Sequence, residues 1–394
     1  MIKKINKFQL DFYDHLKYYK KNNISPVHQN ISNLKNHFQR RSFLYDSLGL
    51  SKLVIKNSII AEFGPGSGHN SLYVSNNNPL KYILYEPNPL GFKEIENLYL
   101  KYNKVTKPLV VNNKLEDYKG NNKFDVVIAE AWIGSTDHEL KLIKKLGKIL
   151  KKNGLILITF QPAIGMLPNI LRRIISYKLI KKLQNFNEQS IILTNFFSQE
   201  LKSIKNMTRP HIDWVQDTIM NPAALTSSLS LDQIVSQLGN KFEILSTFPK
   251  YFKILDWYKL FINDKRNMNR LYTDEIYKSY HSFIDMNHMP NDQYSFEDVE
   301  KNRLLDSLIN ELYIGLYNLE KNQKHFDSDN YIINMLNLIK KNTNNSQLKK
   351  MISSTVSLFK NPKTIYNKYH SSDNKLNGIF GRELFYTSIQ KKND

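Results

Sequence analysis

The stretch "AEFGPGSGHNS", Ala61 to Ser71, puts a glycine at every second position: Gly64, Gly66 and Gly68. Glu62 stands two residues before the first of them. Backbone without Cβ atoms lets a ligand approach where a side chain would clash. A helix starting just beyond such a turn offers free N–H groups and a partial positive charge. A second acid, Glu86, ends the later run "KYILYEPNP". A third group, "RPHIDWVQD", packs Arg209, His211, Asp213, Trp214 and Asp217 into nine residues. His211 and Asp213 are the types that make a general base and its orienting partner. The bland reading of this group is a surface loop whose tryptophan caps the core and whose acids cap a helix.

The elements that position these residues alternate. "SIIAEF", "KYILYEP", "KPLVVNN", "KFDVVIAEAW" and "LILITFQP" read as apolar strands. Between them lie helical patterns, the clearest being "DHELKLIKKLGKILKKNG". Near-continuous apolar strands separated by helices signal a parallel sheet covered on both faces. Residues 1–50 read as a helical N-terminal extension and 51–160 as the core. Residues 161–240 read as a helical insertion that carries "RPHIDWVQD". "KFEILSTFP" makes 241–260 a return to the core, 261–375 a further helical insertion or cap, and 376–394 a last strand pairing with 242–248. "FPKYFKILDWYK" adds Tyr251, Asp256, Trp257 and Tyr258, which read as packing for the helical insertion ahead of a sugar-stacking surface.

At 394 residues with 41% hydrophobic content, the chain can bury a large core. It has no cysteine, which excludes disulfides, thiolate metal ligands and a cysteine nucleophile. No metal is expected. The N-terminus lacks the apolar segment of a signal peptide, and Pro162, Gly165 and Pro168 interrupt the longest uncharged run, so the reading is a cytoplasmic protein without a transmembrane segment. The net charge of +20 invites a nucleic-acid partner. The bases are almost all lysine and are spread along the chain, which reads as compositional bias and argues against that partner.

The glycine spacing discriminates between cofactors. A dinucleotide turn has G-x-G-x-x-G, whereas "EFGPGSG" has its third glycine two places on and a proline inside. With its preceding acid, "EFGPGSG" resembles the first motif of the class I S-adenosylmethionine-dependent methyltransferases. Four further segments fit in order: Glu86 after the second strand, "NKLEDY" after the third, "FDVVIAEAW" as the fourth, and the "KKNG" turn before the fifth. The resemblance covers residues 55–160 and implies a Rossmann-like, mostly parallel seven-stranded sheet with an antiparallel last strand.

It also implies S-adenosyl-L-methionine as cofactor. Gly64, Gly66 and Gly68 would admit its methionine part, with Glu62 near the amino group. Glu86, followed by Pro87, would accept the ribose hydroxyls. Leu115 and Glu116 would bracket the adenine. Glu130 and Trp132, after the fourth strand, fall beside the methyl site, Glu130 as a candidate base and Trp132 with the acceptor. "EAWI" departs from the Asn/Asp-Pro-Pro-aromatic run of base-amine methyltransferases, and the missing cysteine speaks against pyrimidine C5 chemistry. The acceptor expected is therefore a small molecule or glycan, methylated on oxygen, with His211 and Asp213 in catalysis and Arg209, Trp214 and Asp217 in binding. "TRPHIDWVQD", "EAW" and "FPKYFKILDWYK" are similar to bacterial methyltransferases of cell-surface glycan gene clusters. The alternative is a methyltransferase-fold protein that binds or modifies RNA or protein. The oligomeric state is not legible.

Overall fold

A computed structural model describes residues 15–120, 123–226, 228–252, 259, 267–287, 299–321 and 328–392. The chain enters through α1 (His15–Asn22), α2 (Leu34–Ser47) and α3 (Lys52–Lys56). The alternating part follows: β1 (Ile59–Phe63), α4 (Ser71–Asn76), β2 (Lys81–Tyr85), α5 (Pro89–Lys101), β3 (Leu109–Val111), β4 (Phe124–Ala129), α6 (Asp137–Ile149) and β5 (Leu150–Phe160). A helical stretch comes next, with α7 (Ala163–Ile180), α8 (Phe186–Lys202), α9 (His211–Trp214), a π-helical turn (Val215–Ile219) and α10 (Leu231–Leu238). Then come β6 (Phe242–Phe248), α11 (Met268–Lys278), α12 (Val299–Glu320), α13 (Ser328–Lys341), α14 (Ser346–Lys360), α15 (Ile365–Tyr369) and β7 (Phe385–Lys391).

The seven strands make one sheet in the order β3-β2-β1-β4-β5-β7-β6. The pairs from β3 to β5 are parallel. β7 runs antiparallel to both β5 and β6, as the sequence reading expects of the last strand. Strand residues alternate between two buried clusters. Ala61, Phe63, Val127, Ala129, Ile156 and Ile158 face one, while Ile60, Val126, Ile128, Leu155 and Leu157 face the other. Burial on both faces is why these strands read as continuous apolar runs. The "KKNG" turn is absorbed inside β5. The register against β4 slips there, from Phe124↔Leu150 to Val126↔Leu155, and Asn153 takes a positive φ of 60°.

One departure bears on the site. The stretch expected to be helical through residue 50 opens between α1 and α2. Asn23 adopts φ 51° and Pro26 lacks an amide hydrogen, so the helix stops. Residues 23–30 instead run as an extended strap across the glycine turn. Asn88 Nδ2 donates to Ile24 O at 3.2 Å, and Asn30 N to Thr208 O at 2.7 Å.

Candidate functional site

All three glycines of the turn have positive φ: 71° at Gly64, 60° at Gly66 and 77° at Gly68. L residues rarely adopt this conformation. Each is also closely approached. A Cβ would come to 2.8 Å from Trp132 at Gly64, 2.7 Å from Val27 of the strap at Gly66, and 2.9 Å from Ile95 of α5 at Gly68. The first two glycines admit the walls of the cleft, and the third admits the helix behind it.

Glu86 binds this turn together. Its two carboxylate oxygens accept the backbone N–H groups of Gly66 at 2.8 Å and Asn88 at 2.7 Å. Burial pushes its carboxyl up to about 7. Gly91 in α5 is needed because a Cβ there would lie 2.9 Å from Gly66 O and 3.2 Å from the Glu86 side chain. Glu62 accepts Ser71 Oγ at 2.8 Å and the Tyr82 hydroxyl. Burial, then the charge of Glu130, pushes it up to about 7. Pro87, Leu115 and Glu116 line the same cleft, with Glu116 paired to His138 Nε2 at 3.1 Å.

The end of β4 forms the opposite wall. Ala131 has φ 62° and donates its N–H to Thr159 Oγ1 at 2.7 Å. The chain thereby turns so that Trp132 lies over Gly64. The Trp132 indole Nε1 is buried there without a hydrogen-bond partner. Glu130 takes Arg41 Nη2 at 2.6 Å and the Tyr45 hydroxyl at 2.8 Å, both on one oxygen. A buried Arg–carboxylate pair of this kind is costly to break from one side.

The third wall is brought from far along the chain. Arg209 pairs with Asp217 and also donates to Pro26 O of the strap. Tyr19 of α1 donates to Asp217 at 2.6 Å. Burial alone would raise the Asp217 carboxyl, but Arg209 and these hydrogen bonds hold it below its usual range. The π-helical turn puts Asp217 in this position; such turns recur at functional sites.

These walls enclose a cleft of about 300 Å³, at the low end of small-ligand sites. It fits S-adenosylmethionine on two observations. A Cβ on Gly64 or Gly66 would run into the cleft walls at Trp132 and Val27, and the Trp132 indole offers a buried donor without a partner on that wall.

The structure brings together Glu62, Gly64, Gly66, Glu86, Pro87, Leu115, Glu116, Glu130, Trp132, Arg209 and Asp217 on this one cleft. Gly68 stands behind it. The expected pairing of His211 with Asp213 is not formed. Asp213 instead accepts His28 Nδ1 at 2.7 Å and the His28 backbone N–H at 3.1 Å. His28 Nε2 reaches Glu94 at 3.0 Å. The Asp213 hydrogen bond, then that from Glu94, pushes His28 up to about 10. Asp213 therefore ties the strap to α9. His211 opens α9 after Pro210 and does not line the cleft, because the four-residue helix turns Asp213 inward. Trp214 is core: its ring meets Phe197 at 6.0 Å and Phe380 at 6.3 Å. Tyr251 is also packed, against Phe283 and Phe385. Asp256, Trp257 and Tyr258 lie outside the described residues.

Sequence reasoning missed the strap with Val27 and His28, and also Arg41, Tyr19 and Glu383. Only Gly91 carried a readable signal, a glycine inside a helix pattern two residues after a proline.

Residues 39–200 match a family model described as a methyltransferase domain. The match covers less than half of the chain, and it is what this region is similar to. The matched stretch takes in β1 to β5 of the sheet. No protein of curated function matches the chain. Similar solved structures include TehB from Haemophilus influenzae, at 15% identity over 37% of this chain and 44% of that one, TM-score 0.26. An S-adenosylmethionine-dependent methyltransferase from Clostridium acetobutylicum has 13% identity over 33% and 52%, TM-score 0.29. Magnesium protoporphyrin IX methyltransferase from Synechocystis, solved with bound S-adenosylmethionine, has 12% identity over 36% and 70%, TM-score 0.29. The chain spans about half the length of the first two. Among the described residues no helix is long and apolar enough to cross a membrane, and no cluster of three or more His, Asp or Glu could hold a metal ion.

Proposed function

We propose that the protein is an S-adenosylmethionine-dependent methyltransferase of the cytoplasm that methylates an oxygen of a small-molecule or glycan acceptor. The observation that carries this reading is the glycine cradle facing both Glu86 and the unpartnered indole of Trp132. When bound, the cofactor supplies a methyl group activated on a sulfonium. Gly64 and Gly66 give it backbone room, and Gly68 lets α5 pack close behind the turn. Glu62 sits at the amino-acid end, through the turn it supports. Glu86, with Pro87 beside it, would accept the ribose hydroxyls. Leu115 and Glu116 flank the base.

Glu130 stays with Arg41 and Tyr45 and keeps a carboxylate beside the position of positive charge. Trp132 would stand between the cofactor and the acceptor side, where Arg209 and Asp217 offer polar groups. The strap excludes water above them. Catalysis by such a site is mainly positioning. Asp213 acts through the strap, and neither His211 nor Trp214 is given a role in the chemistry. Similarity of "TRPHIDWVQD" and "EAW" to glycan-cluster methyltransferases supports the acceptor class.

The test is calorimetric titration with S-adenosylhomocysteine, followed by transfer of labelled methyl to hydroxylated and to amine acceptors. Binding at one site with label on a hydroxyl is the expected result. Absence of binding removes the cofactor assignment, and label confined to amines removes the oxygen assignment.

A further inference from the structure

A second chamber of about 100 Å³ opens beside Trp132, Arg209 and Leu384, which it shares with the cofactor cleft. Its own wall includes Gln161, Met166 and Glu383. Glu383 is held there by a close backbone crossing. A Cβ on Gly165 of α7 would lie 2.1 Å from Arg382 O, and one on Gly381 would lie 2.0 Å from Gly165 O. Only two glycines allow the segment before β7 to press against α7 in this way.

The polar groups of this chamber are unfinished. One Glu383 oxygen accepts Asn169 Nδ2. The side-chain oxygen of Gln161 is buried without a partner, and so is Arg209 Nε. An unmet buried polar atom costs about 1–3 kcal/mol, so the chamber is built for an occupant. One acceptor, the Gln161 oxygen, and two donors, Arg209 Nε and Trp132 Nε1, remain unpaired beside the Glu383 carboxyl. A neutral hydroxylated group satisfies all three, because a hydroxyl both donates and accepts. An ammonium has no lone pair for Arg209. An anion would face Glu383 and Asp217 against the single charge of Arg209.

We infer that this chamber receives the hydroxylated end of the acceptor and that Glu383 is the base that takes the proton from the hydroxyl being methylated. The inference rests on the methyltransferase reading above. In the balanced step the acceptor oxygen bonds to the methyl carbon, the carbon–sulfur bond breaks with its electrons returning to sulfur, and the hydroxyl proton passes to the Glu383 carboxylate.

Burial pushes the Glu383 carboxyl up to about 7, against the charges of Arg209 and Arg172, with Asp217 adding to the rise. A base with that value suits proton transfer near neutrality. His15, which also lines the chamber, is a poorer base. Its Nδ1 accepts Asn221 Nδ2 at 2.9 Å, and the Asn221 oxygen is fixed on Ala223 N at 2.9 Å. That arrangement leaves the His15 proton on Nε2, a donor.

The test needs no turnover at first. Methionine methyl groups are labelled with carbon-13, and Met166 is assigned with Met166→Leu. The protein is then titrated with glycerol, methyl glucoside, ammonium and phosphate. The Met166 resonance is expected to move saturably with the two polyols and not with the ions. It is also expected to titrate near pH 7 in the unmodified protein and not in Glu383→Gln. In label transfer, Glu383→Gln is expected to lose about 100-fold in rate while S-adenosylhomocysteine affinity stays within about twofold. Movement with ammonium or phosphate, no movement with either polyol, persistence of the titration in Glu383→Gln, or an unchanged rate would each overturn the inference. Failure to bind S-adenosylhomocysteine, by contrast, strikes the methyltransferase reading and leaves the polyol titration to stand or fall by itself.

Discussion

The two halves of the cleft are built in opposite ways. On the cofactor side, β1, its glycine turn and the end of β2 place Glu62, three left-handed glycines and Glu86 within a stretch of 25 residues. Much of that work is done by backbone, through the Gly66 N–H on Glu86 and the left-handed turn. On the side proposed for the acceptor, Tyr19 meets Asp217 across 198 positions and His28 meets Asp213 across 185. That work is done by side chains, from segments with no motif in common. A site made by local backbone leaves a spacing in the sequence, and a site made by distant side chains leaves only residue types.

The sharpest way to break this contrast is Gly66→Val. It would strain a φ of 60° and drive a branched side chain into Val27. S-adenosylhomocysteine affinity should fall by about 100-fold or more, read by calorimetry, and undiminished binding would show that the turn is not the cradle.

Glu86→Ala comes next, with an expected loss of about 10-fold or more in the same titration. Glu86 also gives a pH test. Its folded value, about 7, lies above the usual 4.5. Its contribution to the stability of the unliganded protein is therefore present below pH 4.5 and lost as pH rises through 7. Cofactor affinity should run the other way and tighten between pH 6 and 8, as the carboxylate becomes able to accept both hydroxyls. Thermal unfolding and calorimetry across that range would show the two opposite slopes.

Asp213→Asn tests the other half. It removes the charge that holds the strap, so cofactor affinity should weaken by only about threefold. The His28 ring should titrate well below its present value of about 10, read by nuclear magnetic resonance. An unchanged His28 titration would contradict the clamp.

The smallest effect is expected for His211→Ala. Affinity and label transfer should both stay within about twofold, and a large loss of transfer would return His211 to the chemistry.

The order of strands and helices was readable because the central strands β1, β2, β4 and β5 are buried on both faces and the helices between them are amphipathic or capped, as in the Thr136–Glu139 capping box that starts α6. Pairing of 242–248 with the last strand was also readable from its alternation. The strap was not, because residues 23–30 are held by partners such as Thr208 and Arg209 that no local pattern reveals. "RPHIDWVQD" showed a dense set of chemical groups but not their directions. A four-residue helix running into a π-helical turn sends Asp213 to the strap, Asp217 to the cleft and Trp214 to the core. Glu383 carried no signal, since its position depends on the crossing of Gly165 and Gly381.

The most direct measurement is a crystal structure of the protein with S-adenosylhomocysteine. The account predicts the ribose hydroxyls on Glu86, the methionine end over Gly64 and Gly66, and the sulfur facing the gap between Trp132 and the Glu383 chamber. A ligand bound elsewhere, or one whose sulfur points away from Trp132, would contradict it.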